Sequence, residues 1–301
     1  MANVQTPVER LLTLRQFPGF EDASLEELAV IAHNVVEQRF EPGATIVTPS
    51  RSAPLHLVIE GTLASASGQT WGAHEVVGAL EAIARRRTRE PITAETEART
   101  LRLAAADFRE ILDDNYGLMS SVRRSLAREL IADLVTAPPP PMRLGAEDIA
   151  PSPLGMVDRL IVLRRYMPFS KGRIEALAAL AQASEEIRMP ARTTVGRQDE
   201  TASAVLILLE GTVHATRDGV SFVLAPGHAP GALESLAEIP YSSTMSTLTP
   251  IRALRFPSAA LFDVLEDHTD LALAMVESLA GALVDRGRIV RDTSSDGSHV
   301  N

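Results

Sequence analysis

The stretch "VERLLTLRQFPGFEDASLEELAVIAHNVVEQRFEPGATIV", residues 8–47, is written a second time further along the chain. Its counterpart is "VDRLIVLRRYMPFSKGRIEALAALAQASEEIRMPARTTVG", residues 157–196. At an offset of 149, Arg10 meets Arg159, Leu14 meets Leu163, Arg15 meets Arg164 and Phe20 meets Phe169. Leu28 meets Leu177, Ala32 meets Ala181, Glu37 meets Glu186 and Arg39 meets Arg188. About a dozen of about forty positions are identical, where average residue usage would give roughly three by chance.

The match continues with small slips. "LVIEGTL" (57–63) answers "LILLEGTV" (206–213), and "VGALEAIA" (77–84) answers "PGALESLA" (230–237). "TLRLAAADFREIL" (100–112) answers "IRALRFPSAALFDVL" (251–265). The chain is one unit written twice. Four consecutive prolines in "TAPPPPMRLG" cannot continue a helix and mark a semi-rigid spacer between the copies. The expected division is a first domain over 1–137, a linker over 138–153, a second domain over 154–292 and a frayed tail over 293–301.

Each copy opens on an amphipathic helical piece, residues 8–37 in the first, with Leu25, Leu28, Ile31, Ala32 and Val35 at helical spacing. Short β-rich runs come next: "ATIVT", "LHLVIEG" and "TLRLA", then "TTVG", "AVLILLEG", "HATRD", "SFVLA" and "IRALRF". Asp107 and Ser258 are candidate N-caps of the closing helices. The last helices carry Leu118, Val122, Leu126, Leu130 and Leu134, and Leu271, Met275, Leu279 and Leu283. The expected fold class is mainly β with flanking α: two β jelly-roll barrels, each with N- and C-terminal helices.

Composition narrows the function. Apolar residues make up 45% of 301, enough for two buried cores. The net charge of −10 argues against a nucleic-acid partner, and the segment after the second long helix is too short for a helix-turn-helix module. Without cysteine there is no disulfide, thiol nucleophile or thiolate metal site. No signal peptide opens the chain, and no run of about 18 apolar residues suggests membrane insertion; a cytoplasmic protein is expected. His56, His74, His214 and His228 fall among the strands, but they lack metal-ligand spacing and do not correspond between copies. No serine, histidine and carboxylate layout supports catalysis, so no enzyme is expected. The Ala- and Arg-rich, Lys-poor usage is that of a bacterium with GC-rich DNA.

The ordered set "FPGFEDASLEELAVIA", "RFEPGATIV", "LHLVIEGTL", "VGALE" and "TLRLAAADFREIL", present twice, resembles the cyclic nucleotide-binding domain family. That family includes catabolite-activator-type regulators and the regulatory subunits of cyclic-AMP-dependent kinase. The resemblance implies a cassette in which helix-terminal amides meet a phosphate, a glutamate directly after the glycine holds the ribose, and an arginine pairs with the phosphate. The cassette positions here are Gly78, Ala79, Leu80 and Glu81, with Arg87 and Arg89, and then Gly231, Ala232, Leu233, Glu234, Tyr241 and Ser242. Both copies depart from the pattern. Ala79 and Ala232 occupy the glutamate's place, with Glu81 and Glu234 two residues late. Ile92 and Tyr241 stand where the arginine belongs.

A lost charge-assisted bond to a buried phosphate costs roughly 1.5–3 kcal/mol. The second cassette is therefore expected to be degenerate, and no cofactor is expected there. In the first, "ARRRTRE" supplies Arg85, Arg86, Arg87 and Arg89, either as a solvated face or as a replacement for the missing cation. A weak cyclic nucleotide site in the first domain is the one ligand expectation. The partner expectation is another protein or self-association, with Leu271, Met275, Leu279 and Leu283 as the candidate interface. These readings together describe a non-enzymatic regulatory or scaffold protein; the alternative is a cyclic nucleotide or other anion sensor working through the first domain.

Overall fold

The computed structural model describes residues 7–133, 153–166 and 168–296. Apart from Pro153, the expected linker at 138–153 lies outside the described residues. The first repeat runs α1 (Pro7–Leu14), α2 (Leu25–Asn34), β1 (Val36–Phe40), β2 (Thr45–Val47), β3 (Leu55–Glu60), β4 (Leu63–Ser65), β5 (Thr70–Trp71) and β6 (Val76–Val77). It closes with α3 (Ala79–Ile83), β7 (Ile92–Ala94), β8 (Ala98–Leu103), α4 (Ala105–Asp114) and α5 (Tyr116–Asp133). The second runs α6 (Met156–Arg165), a 3-10 turn (Phe169–Lys171), α7 (Ile174–Ala183), β9 (Glu185–Met189), β10 (Thr194–Gly196), β11 (Ala204–Glu210), β12 (Val213–Arg217) and β13 (Val220–Leu224). It closes with α8 (Ala232–Ala237), β14 (Thr244–Thr247), β15 (Ile251–Pro257), α9 (Ser258–Asp267) and α10 (Thr269–Asp296).

The fold is mainly β with flanking helices, the jelly roll expected. Hydrogen bonding divides the first set of strands into β1-β8-β3-β6 and β2-β7-β4-β5, and the second into β9-β15-β11 and β10-β14-β12-β13. Apolar side chains of these strands form the buried core of each repeat, with Val58, Leu63, Val77 and Ile92 in the first and Leu206, Leu208, Val213 and Met245 in the second. β3 and β11 are buried along almost their whole length, not on alternate residues, because each is covered on both faces. Both shift register at the same point, between Val58 and Glu60 and between Leu208 and Glu210. Gly61 and Gly211 come next with φ of +86° and +81°, and a Cβ at either would lie 2.2 Å from a carbonyl oxygen, of Glu97 or Pro250. Only glycine fits there.

Several other details recur. An Arg10 guanidinium N–H donates to the Ala32 carbonyl at 3.1 Å, and Arg159 donates to Ala181 at 3.3 Å. Arg15 donates to the Ala23 carbonyl and Arg164 to the Gly172 carbonyl. These bonds explain why the arginines recur: Arg10 and Arg159 staple the two opening helices of their repeats, and Arg15 and Arg164 hold the segment that connects them. Gly43 (φ 84°) is answered by Arg192, which keeps the left-handed turn at φ 63° without glycine's freedom.

Some local expectations are corrected. The helical piece expected over 8–37 is two helices, broken where Pro18 and Gly19 interrupt the pattern, and its end is strand β1. Ser24 caps α2 in a capping box with Glu27. Leu25 does not join the core but is exposed. Asp107 sits inside the first turn of α4, whose N-cap is Ala104, and Ser258 is the first residue of α9 after the N-cap Pro257.

The chain forms two compact units. One comprises Met1–Leu126 with Val276–Asn301, the other Ala127–Met275. The divisions thus fall inside α5 and α10, and α10 extends to Asp296, past the expected start of the tail. Leu271, Met275, Leu279 and Leu283 are all buried in the chain's own interior. This apolar face, expected to meet a partner, is covered without one. Among the described residues, no helix is long and apolar enough to cross a membrane.

Candidate functional site: the two cassettes

In the second unit, Gly231 takes a left-handed conformation (φ 73°) and starts α8. It could carry no other side chain, because a Cβ there would lie 2.5 Å from the Tyr241 ring. On the other side a Cβ at Gly196 would lie 2.7 Å from the same ring. Tyr241 is therefore held between two glycines. It is 7% exposed and packs in a core cluster with Ala202, Ala204, Leu206 and Met245. Its backbone is fixed as well: the Tyr241 N–H donates to the Glu200 carbonyl at 2.8 Å, and the Asp199 N–H donates to the Tyr241 carbonyl at 3.0 Å. Burial, and then the Glu234 carboxylate, push the phenol pKa up, against the opposing pull of Arg255. The side chain that stands at the arginine's place is a neutral, buried ring.

The acid of this cassette is occupied. Glu234 is buried, and its Oε1 accepts from the Ser242 hydroxyl at 2.5 Å and the Ser242 N–H at 3.4 Å. The Ala232 N–H, at the start of the helix, donates to the Ala229 carbonyl. Leu233 is partly exposed. The structure thus gathers Gly231, Glu234, Tyr241 and Ser242 in one place, as internal partners of one another. Glu234 and Ser242 are engaged with each other, and the Tyr241 ring occupies the arginine's place.

In the first unit, Gly78 (φ 80°) starts α3, and Ala79, Leu80 and Glu81 are partly buried. Ile92, at the arginine's place, is 5% exposed in a core cluster with Val47, Val58, Val77 and Ala94. The four arginines separate into two pairs. Arg85 lies 2.7 Å from the Glu277 carboxylate and Arg86 lies 3.6 Å from Asp285, both within the same compact unit. Arg87 and Arg89 are exposed and make no ion pair among the described residues. Between them Thr88 is buried and pins the loop: its N–H and hydroxyl both donate to the Ser50 carbonyl, and its hydroxyl oxygen accepts from the Ser50 N–H.

A feature not anticipated from the sequence is an ion cluster present in both repeats. Arg252, 4% exposed, lies 2.6 Å from Glu210 and 3.0 Å from Glu186, with Arg188 at 3.6 Å from Glu186. In the first repeat Arg99 lies 2.6 Å from Glu60 and 3.5 Å from Glu37, with Arg39 at 3.9 Å from Glu37. The signal was available, since Glu37 and Glu186, and Arg39 and Arg188, recur at the repeat offset. The cluster ties three neighbouring strands at the bulge. Among the described residues, no group of three or more histidine, cysteine or acidic side chains could hold a metal ion.

Residues 186–268 match the family model of the cyclic nucleotide-binding domain. Among solved structures, the regulatory domain of Toxoplasma gondii PKA, crystallised with cAMP, is 13% identical, with 94% of this chain and 96% of that one covered and a TM-score of 0.35. The regulatory subunit of a cAMP-independent protein kinase A from Trypanosoma brucei, a mutant with cAMP in its A site, is 17% identical over 87% of this chain and 90% of that one, with a TM-score of 0.35. A putative cyclic nucleotide-binding protein from Geobacter metallireducens is 25% identical over 42% of this chain and 96% of its own, with a TM-score of 0.38. No curated protein matches the chain. The family match thus lies within the second repeat, over residues 186–268.

Proposed function

We propose that this chain is a non-enzymatic regulatory or scaffold protein of the cytoplasm whose two cyclic nucleotide-binding-like domains act through protein contacts. In this reading the second domain does not respond to ligand. The observation that carries it is the Tyr241 ring clamped between Gly196 and Gly231, with Glu234 held by Ser242. A helix terminus contributes typically 0.3–1 kcal/mol at an exposed site. That cannot offset a missing charged bond of roughly 1.5–3 kcal/mol. DNA is not its target, because an acidic protein repels the duplex.

A second reading has its own observation. Arg87 and Arg89 are exposed beside the first cassette, so a cyclic nucleotide or another anion could be sensed there with Gly78 and Glu81. Arg85 and Arg86 contribute less to it, being engaged by Glu277 and Asp285.

Thermal melting of the full chain with millimolar cyclic AMP or cyclic GMP separates the two. A ligand at a hundred times its dissociation constant adds about 2.7 kcal/mol, which moves a melting midpoint by several degrees. The first reading expects no shift. A saturable shift lost in Glu234→Ala overturns it. A shift that survives Glu234→Ala and is lost on replacing Arg87 and Arg89 with alanine establishes the second.

A further inference from the structure

Three large apolar side chains stand in solvent at the same three places in both repeats. On α1, Val8 is 64% exposed and Leu12 56%; on α6 their counterparts Val157 and Ile161 are 67% and 42% exposed. The third pair opens the next helix, with Leu25 at 57% and Ile174 at 53%. Val8 and Leu12 are one helical turn apart, as are Val157 and Ile161, so each pair shares a face. Isolated exposed apolar residues are ordinary. Three that recur at equivalent positions on equivalent stapled helix pairs describe a surface.

The formal charge of the two helix pairs is opposite in the two copies, and it stays so when Arg124 beside Asp22 and Asp270 beside Arg173 are counted. Over residues 7–34 five carboxylates (Glu9, Glu21, Asp22, Glu26, Glu27) face two arginines (Arg10, Arg15), a net charge of −3. Over residues 156–183 five cations (Arg159, Arg164, Arg165, Lys171, Arg173) face two carboxylates (Asp158, Glu175), a net charge of +3. Two equal acidic faces repel, as do two equal basic ones, while an acidic and a basic face attract and orient each other.

We propose that the α1–α2 face of one copy of this chain docks on the α6–α7 face of a second copy. The contact joins unlike surfaces, so it is heterologous and builds rings or open chains unless two such contacts close a pair. The inference rests on the contact-making reading above and names its partner; it requires nothing of either cassette.

Sedimentation equilibrium of the full chain tests it, with Leu12→Arg and Ile161→Glu as variants. Each adds, at an exposed position, the charge that the opposing face repels, and an unchanged melting midpoint verifies the fold. The expected result is self-association of the wild type that weakens about tenfold or more in each variant and at high salt. Mixing the two variants restores a one-to-one complex, because Ile161→Glu keeps the α1–α2 face and Leu12→Arg keeps the α6–α7 face. The proposal is overturned by a monomeric wild type, by association that ignores both changes, or by a mixture that stays apart. A monomer would leave the ligand-blind second cassette standing, so the two readings fail separately.

Discussion

His56 shows how far one residue's surroundings decide its chemistry. It is 1% exposed on β3, its Nδ1 lies 3.0 Å from the Thr100 hydroxyl, and Phe40 meets it edge-on. Burial first, and then the Arg102 charge, lower its pKa to about 4. The folded protein keeps the ring neutral while the unfolded chain protonates near the usual value of about 6.5. The stability this contributes is complete above pH 6.5 and is lost as the pH falls toward 4, amounting to about 2 kcal/mol by pH 5. Denaturant midpoints at pH 7 and pH 5 should show that loss in the wild type and a smaller one in His56→Gln; equal slopes would refute it. The sequence showed a histidine among strands and no more, because burial is a property of the assembled sheet. Tyr241 was more legible. Its replacement of an arginine could be read directly, but the two glycines that grip it come from distant strands and turns, and only the folded chain brings them together.

At the scale of elements, the strands, the helices and their order were largely legible, because periodicity and the repeat both carry them. The β1 and β9 strands were not, since their short polar sequences continue from apolar helices without a break in hydropathy. The ion cluster shows what register adds. Glu186, Arg252 and Glu210 lie on three adjacent strands, and nothing in linear spacing places them together. Removing a buried charge strands its partner, so Arg252→Ala should cost about 3 kcal/mol or more in unfolding free energy. Arg99→Ala should cost less, because the side chains of Arg99 and Glu37 are 16% and 17% exposed, against 5% and 8% for Arg252 and Glu186. Equal losses would contradict that ranking. The turn before β10 makes the opposite case: Arg192 pays for a left-handed backbone that Gly43 adopts freely. Arg192→Gly should raise stability by up to about 1 kcal/mol, the left-handed penalty less glycine's extra entropy. A destabilised variant would mean that the arginine side chain contributes more than the turn costs.

At the scale of the whole molecule, the duplication was plain in the sequence, whereas the compact units were not. Helices α5 and α10 read as parts of their own repeats, yet each is divided between the units, which no local pattern reveals. The apolar seam on α10 was correctly identified as apolar and wrongly expected to be free, because sequence cannot say what covers a face. The faces that do remain open are those of the opening helices, where Leu25 fits a core pattern and is nevertheless in water. The central claim for the molecule is that its second cassette is filled by its own tyrosine and does not respond to ligand. Fluorine NMR of the full chain labelled with fluorotyrosine addresses this directly, with the Tyr241 resonance assigned by Tyr241→Phe. The expected result is a Tyr241 signal that does not move with millimolar cyclic AMP or cyclic GMP; a saturable displacement of that signal would contradict the account.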